Sequence, residues 1–323
     1  MIKLVSPKSW DQLTERDGLL VTENGESYRL NDGIPELIYP KNLLKSDEES
    51  VDWYRDNADV YDDYLPLTFA TFGCDELVER RRMIEKLDLQ PTDAVLETGC
   101  GTGRDSLLIA EKLGADGELH MHDLSYDILK HAVPKFKAKS LEASTIFCLS
   151  NASYLPYEDN MFDKAFHFGG LNTFGEKRRA LEEMARVVKP GGRIVVGDEN
   201  MPTWLRETEF GKVLMNSNPH YRYDLPLECI PISAREVSIE WIIGGVFYVI
   251  SFVNGSAEPE ADLDFEIPGP KGGTHRTRYY GQISGLDEET LELARRARAA
   301  KGESMSAWLN RTIKNSAEQE LND

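Results

Sequence analysis

The densest chemistry in the sequence is the stretch Val95-Leu96-Glu97-Thr98-Gly99-Cys100-Gly101-Thr102-Gly103. An apolar run ends in a carboxylate and is followed by three glycines at alternate positions. Glycine permits positive φ and lets a backbone approach a ligand closely. The helix that follows offers free N–H groups to a carboxylate or phosphate. A dinucleotide loop shares this logic, but its fingerprint is G-x-G-x-x-G. Here the spacing is G-x-G-x-G, with Glu97 two residues before the first glycine. A carboxylate there suits a cation and would repel a pyrophosphate. S-Adenosylmethionine, cationic at sulfur and at its ammonium group, fits. Glu97, Thr98, Gly99, Gly101 and Gly103 are the first candidate cofactor contacts.

Three further stretches follow in register. His120-Met-His-Asp123-Leu124-Ser125 ends a second apolar run, and Asp123 can accept both hydroxyls of a ribose. Leu124 stands beside it. Asp123 or Ser125 could equally cap the next helix. Ser150-Asn151-Ala152 follows a third run; Asn151 would meet the adenine amino edge and the Ala152 N–H a ring nitrogen. Ala165-Phe166-His167-Phe168-Gly169-Gly170 ends a fourth, where a transferred methyl would face. His167 is the candidate general base if the acceptor must lose a proton, and it is also counted among the cofactor contacts. It reads equally as a buried core histidine. Phe168, Gly169, Tyr54, Trp204, His220 and Tyr221 are candidate substrate contacts. Trp53, Tyr64 and Phe72 could join them in an aromatic pocket, or all could be core packing.

These residues must be held by alternating strands and helices. Strands are expected at Ala94–Glu97, Glu118–His122, Thr145–Leu149, Phe162–Phe168 and Arg193–Val196. Helices are expected at Gly103–Leu113, Tyr126–Lys139 and Glu176–Val188, the last stopped by a turn at Lys189-Pro-Gly-Gly192. Such βαβ repetition implies a doubly wound α/β parallel sheet with helices on both faces, and ligands then bind outside the carboxyl ends of the strands. Val237–Ile243 and Phe247–Val253 read as a closing antiparallel hairpin. The divisions are a small β-rich unit at 1–45, a helical lid or linker at 46–90, the main domain at 91–255 with an irregular substrate lid at 200–235, and a loop plus helical hairpin at 256–323.

In combination, VLETGCGTG, MHDLS, NASYLPYEDNMFD and ALEEMARVVKPGGRIVV resemble the class I methyltransferases, especially the ubiquinone/menaquinone methyltransferase-like group. The resemblance covers about residues 50–255. It implies a Rossmann-like seven-stranded sheet, S-adenosylmethionine as cofactor and S-adenosylhomocysteine as product. Glu97, Gly99 and Gly101 would hold the methionine end, Asp123 the ribose, and Asn151 with Ala152 the adenine. Tyr61 resembles the aromatic residue that closes over the cofactor. Asn151 departs from the more usual Asp. Residues 1–40 resemble a zinc-ribbon unit without its ligands: Ser6-Pro-Lys-Ser9 stands where C-x-x-C would be, so no metal is expected. Leu286 to Arg311 resembles a ribbon-helix-helix module, with the basic run His275–Tyr280 read as its strand. A plain helical hairpin or a dimer contact is the other reading.

Composition limits the function. A formal net charge of −19 disfavours a nucleic-acid partner. No apolar run is long enough to cross a bilayer, and the four cysteines lack metal or redox spacing, so a cytoplasmic protein is expected. The expected activity is methyl transfer to oxygen or carbon of a small, apolar or aromatic acceptor. The alternative is a cofactor-binding regulatory or scaffold protein that uses its C-terminal segment for dimerisation or DNA.

Overall fold

The computed structural model describes residues 2–270, 272–280 and 286–322. Met1–Glu258 and Pro259–Asp323 form two compact units.

The first unit is built on a seven-stranded sheet. In chain order its strands are β5 (Ala94–Thr98), β6 (Glu118–Asp123), β7 (Ser144–Leu149), β8 (Phe162–Phe168), β9 (Val188–Glu199), β10 (Ala234–Ile242) and β11 (Phe247–Asn254). Their spatial order is β10-β11-β9-β8-β5-β6-β7. The run from β9 to β7 is parallel, and the β10–β11 hairpin adds to β9 antiparallel. The hairpin turns at Gly244-Gly245, as expected. Successive strand residues enter opposite cores. Val95, Phe166 and Val195 belong to one apolar cluster, and Leu96, Ala165 and Ile194 to the other. Burial on both faces explains why these strands read as continuous apolar runs.

Ahead of the sheet lie four short strands, β1 (Thr14–Arg16), β2 (Leu19–Val21), β3 (Ser27–Asn31) and β4 (Ile34–Pro35). This small sheet sits against β7: Glu36 forms a parallel bridge with Leu149, and the Leu37 N–H donates to the Leu149 carbonyl at 2.8 Å. Ser6 accepts the N–H groups of Lys8 and Ser9, and its hydroxyl meets Glu26 and Tyr28. The other sheet edge, β10, shifts register between Arg235 and Ser238 and carries Glu240 paired with Lys86 and Arg82.

Helix α1 (Lys45–Thr71) absorbs the acidic stretch 46–50 and runs through Pro66; α2 is Glu76–Glu85. α3 (Arg104–Ala110) starts one residue after the expected position because Gly103 sits at φ 78° and only caps it. The single helix expected over 126–139 is two, α4 (Tyr126–Leu129) and α5 (Ala132–Lys137). Pro134 has no N–H for the carbonyl of residue 130, so the helix restarts with proline in its first turn. α6 (Lys177–Val187) leads directly into β9. The turn expected at Lys189–Gly192 is instead a bulge within β9: Val188 pairs with Phe162 and Arg193 with Lys164. The segment 200–235 holds α7 (Glu209–Ser217) and two single turns at Pro219–Arg222 and Leu227–Cys229.

In the second unit, α8 (His275–Tyr280) replaces the expected strand, and α9 (Glu288–Lys301) and α10 (Met305–Asn322) form the hairpin. The ribbon of a ribbon-helix-helix module is therefore a helix here. Among the described residues, no helix is long and apolar enough to cross a membrane.

Asn254 fastens β11 to the junction of α6 and β9. Its Nδ2 donates to the carbonyls of Ala185 and Val188, both at 2.7 Å, and its Oδ1 accepts from Ser233. Asn254→Ala strands two buried carbonyls, and is expected to cost about 2–4 kcal/mol, read as a lower urea midpoint at unchanged slope.

Candidate active site

The carboxyl ends of β5, β6, β8 and β9 meet at one cleft. Its floor is the glycine loop after β5. Gly99 has φ 63°, and a Cβ there would lie 3.0 Å from the His167 ring. A side chain at Gly99 is thus excluded twice, by backbone conformation and by space. The Gly101 N–H donates to Asp123 Oδ2 at 2.9 Å, and the Ser125 N–H to Oδ1 at 2.9 Å. The two strand ends are thereby stitched through one carboxylate. Burial raises the Asp123 pKa to about 6 against the hydrogen bonds that favour its charge.

Glu97, a candidate contact, does not itself border the cleft: it lies behind the loop, 2% exposed, and its Oε2 has no hydrogen-bond partner. Burial and the nearby Asp105 charge push it well above the carboxylate range. The neighbouring cation, Arg80, is already engaged by Asp105 at 2.5 Å and Glu76 at 2.8 Å. A buried carboxyl group with an open oxygen is a fitting partner for an ammonium group.

The cleft is bordered by Thr98, Gly99, Gly101, Asp123, Leu124, Asn151, Ala152, Tyr54, Tyr61, Phe168 and Gly169. These sequence candidates converge. Asn151 Oδ1 also accepts the Ser153 N–H at 2.9 Å, which fixes the amide. Gly103 is set back from the cleft, where a Cβ would lie 3.0 Å from Ala132 Cβ.

His167 does not border the cleft. It is 1% exposed, its Nδ1 lies 2.7 Å from the Thr98 carbonyl, and its ring packs on Phe174. A carbonyl only accepts, so Nδ1 carries the proton. Burial lowers the pKa and keeps the ring neutral. The histidine supports the loop from beneath.

A second chamber adjoins the first. Trp53, Asn172, Asn218, His220 and Tyr223 line it, while Tyr54, Tyr61, Gly169, Gly170, Thr173, Phe174 and Glu199 border both. Trp204 and Tyr221 border neither. Trp204 is exposed and packs edge-on against Trp241, and Tyr221 is buried against Phe247.

Several residues here were not found from the sequence. Glu199 is the one carboxyl group among the described residues that borders both chambers. Burial and its neighbour Asp198 raise its pKa well above the ordinary range. Asp198 is itself held by the N–H groups of Gly170, Asn172 and Glu199. The available signal was position: Asp198-Glu199 lies where a parallel strand ends. Asp62, on α1, accepts Thr102 Oγ1 at 2.7 Å and pairs with Arg104 at 3.2 Å and Lys135 at 2.5 Å. It ties the helix carrying Tyr54 and Tyr61 to the glycine loop.

Residues 89–242 match the family model described as a methyltransferase domain. Those residues carry a methyltransferase domain. The demethylmenaquinone methyltransferase of Bacillus mycoides is 34% identical over 149 residues, 46% of this chain and 60% of the relative. That of Anoxybacillus flavithermus is 28% identical over 56% of this chain and 78% of its own. The chain thus spans well over half the length of these curated relatives. Among solved structures, phosphoethanolamine N-methyltransferase 2 of Haemonchus contortus aligns at a TM-score of 0.49 and 14% identity, over 69% of this chain and 62% of that one.

The raised Asp123 pKa has a defined sign. Its stabilising contribution is complete below the ordinary value of 3.8 and is lost as pH rises through about 6. Without ligand, Asp123→Asn is therefore expected to gain on wild type between pH 4 and 7, by on the order of 3 kcal/mol. Denaturation at a series of pH values checks this; a constant difference contradicts it.

Proposed function

We propose that the chain transfers a methyl group from S-adenosylmethionine to oxygen or carbon of a small, apolar or aromatic acceptor. The observation that carries this reading is the buried Glu97 carboxyl group, its Oε2 without a hydrogen-bond partner, behind a glycine loop whose neighbouring strand ends in Asp123. In this reading Glu97, Thr98, Gly99 and Gly101 hold the methionine end, with Gly103 shaping the loop. Asp123 and Leu124 hold the ribose, and Asn151 with Ala152 the adenine.

The cofactor supplies a methyl group already activated on a sulfonium. The protein's task is then orientation, worth on the order of 7–11 kcal/mol in favourable cases. Tyr54 and Tyr61, held over the cleft by α1, exclude water from the shared border. Burial raises Tyr61 to about 12, so its hydroxyl stays neutral. The second chamber offers the rings of Trp53, Phe174 and Tyr223 to an aromatic acceptor, beside the polar groups of Asn172, Asn218, His220 and Glu199. The names of the Bacillus relatives, demethylmenaquinone methyltransferases, support an aromatic acceptor of that kind. His167 takes the role of a positioning residue beneath Gly99, and Glu199 stands where an acceptor would meet the methyl group.

Calorimetry with adenosylhomocysteine and with NAD tests the reading. Adenosylhomocysteine is expected to bind and NAD not; Glu97→Gln and Asp123→Asn are each expected to weaken binding roughly tenfold to a hundredfold. Absence of binding to wild type, or unchanged affinity in the double variant, overturns it.

A further inference from the structure

A line of buried polar groups runs through the sheet beneath the cleft, and the expected roles leave it without a purpose. His120 and His122 are two apart on β6 and so project to one face. Both rings reach the hydroxyl of Tyr157, which is fully buried: His120 Nδ1 at 2.8 Å and His122 Nε2 at 2.5 Å. At one end, His120 Nε2 lies 3.2 Å from Glu118 Oε2. At the other, His122 Nδ1 lies 2.5 Å from Ser150 Oγ. Ser150 and His122 border the cofactor cleft.

The proton positions along this line follow from one end. Glu118 also accepts the Ile2 N–H at 2.9 Å. Burial opposes its charge, but the hydrogen bonds it accepts hold its pKa down at about 2, so it is an acceptor only. His120 must donate to it from Nε2. Burial keeps both histidines neutral, which leaves His120 Nδ1 bare. The single Tyr157 proton therefore goes to His120. The Tyr157 oxygen accepts from His122 Nε2, and His122 Nδ1 is bare in turn. Ser150 must then give its own proton to His122, and only lone pairs of its oxygen remain for the cleft.

We propose that this relay fixes Ser150 Oγ as the hydrogen-bond acceptor for the 6-amino group of the cofactor's adenine, making Ser150 a specificity-determining residue. The inference rests on the adenosylmethionine reading. It complements Asn151, which stands where the resemblance expects Asp and whose Oδ1 already accepts the Ser153 N–H: Ser150 adds an acceptor one residue back.

Calorimetry with adenosylhomocysteine and its 6-deamino analogue, on wild type and Ser150→Ala, tests the assignment. Wild type is expected to prefer the amino compound roughly tenfold, and the variant no more than about twofold. No preference in wild type, or an equal preference in both proteins, overturns the assignment. If wild type binds neither compound, the methyltransferase reading itself fails. Imidazole ¹⁵N NMR of wild type gives a second, independent readout that does not need the variant to fold. Protons on Nε2 alone of both His120 and His122 support the relay; an Nδ1 proton on either overturns it.

Discussion

Negative charge removed from water dominates this site. Glu97, Asp105, Asp123 and Asp198 are all buried where β5, β6 and β9 end and α3 begins. Arg80 is the buried cation among them, and its guanidinium is divided between Asp105 and Glu76. Backbone N–H groups satisfy Asp123 and Asp198, but Glu97 Oε2 and Asp105 Oδ1 have no hydrogen-bond partner, and Asp105 alone of these two is paired with Arg80. An isolated buried carboxyl group neutralises itself unless a cation arrives. In the proposed reading that cation is the ammonium group of the cofactor.

That constraint reaches the surrounding elements. α2 is held in place because Arg80 must meet Asp105 on α3. α1 is held because Asp62 meets Thr102, Arg104 and Lys135 around the same loop. Tyr54 and Tyr61 ride on α1 and border both chambers. One helix thus couples the geometry of the cofactor cleft to that of the adjoining chamber, and the glycine loop is clamped from above by α1 and from below by His167.

Legibility in the sequence followed the range of the physics. The sheet could be read because strands buried on both faces become apolar runs, as in Phe247–Asn254. The cofactor loop could be read because its glycines and acids are close in sequence. Where the determining partner is distant, the reading failed. The His122–Tyr157–His120 line joins residues 35 and 37 apart. Glu199 looked like one acid among many because burial is a property of the assembled fold. Trp204 looked like a pocket aromatic but found Trp241 instead. The basic run at 275–280 has the Thr and Tyr content of a strand yet is a helix.

The small N-terminal sheet has a consequence beyond its own packing. A parallel sheet ends in strands whose unpaired N–H and C=O groups are templates for another chain. On the β10 side that hazard is met by a kinked backbone and by Glu240 with its two cations. On the β7 side it is met by Glu36 and Leu37, which occupy Leu149 from outside. The small sheet therefore covers the Leu149 end of that edge, and a chain trimmed of it would leave those backbone groups exposed.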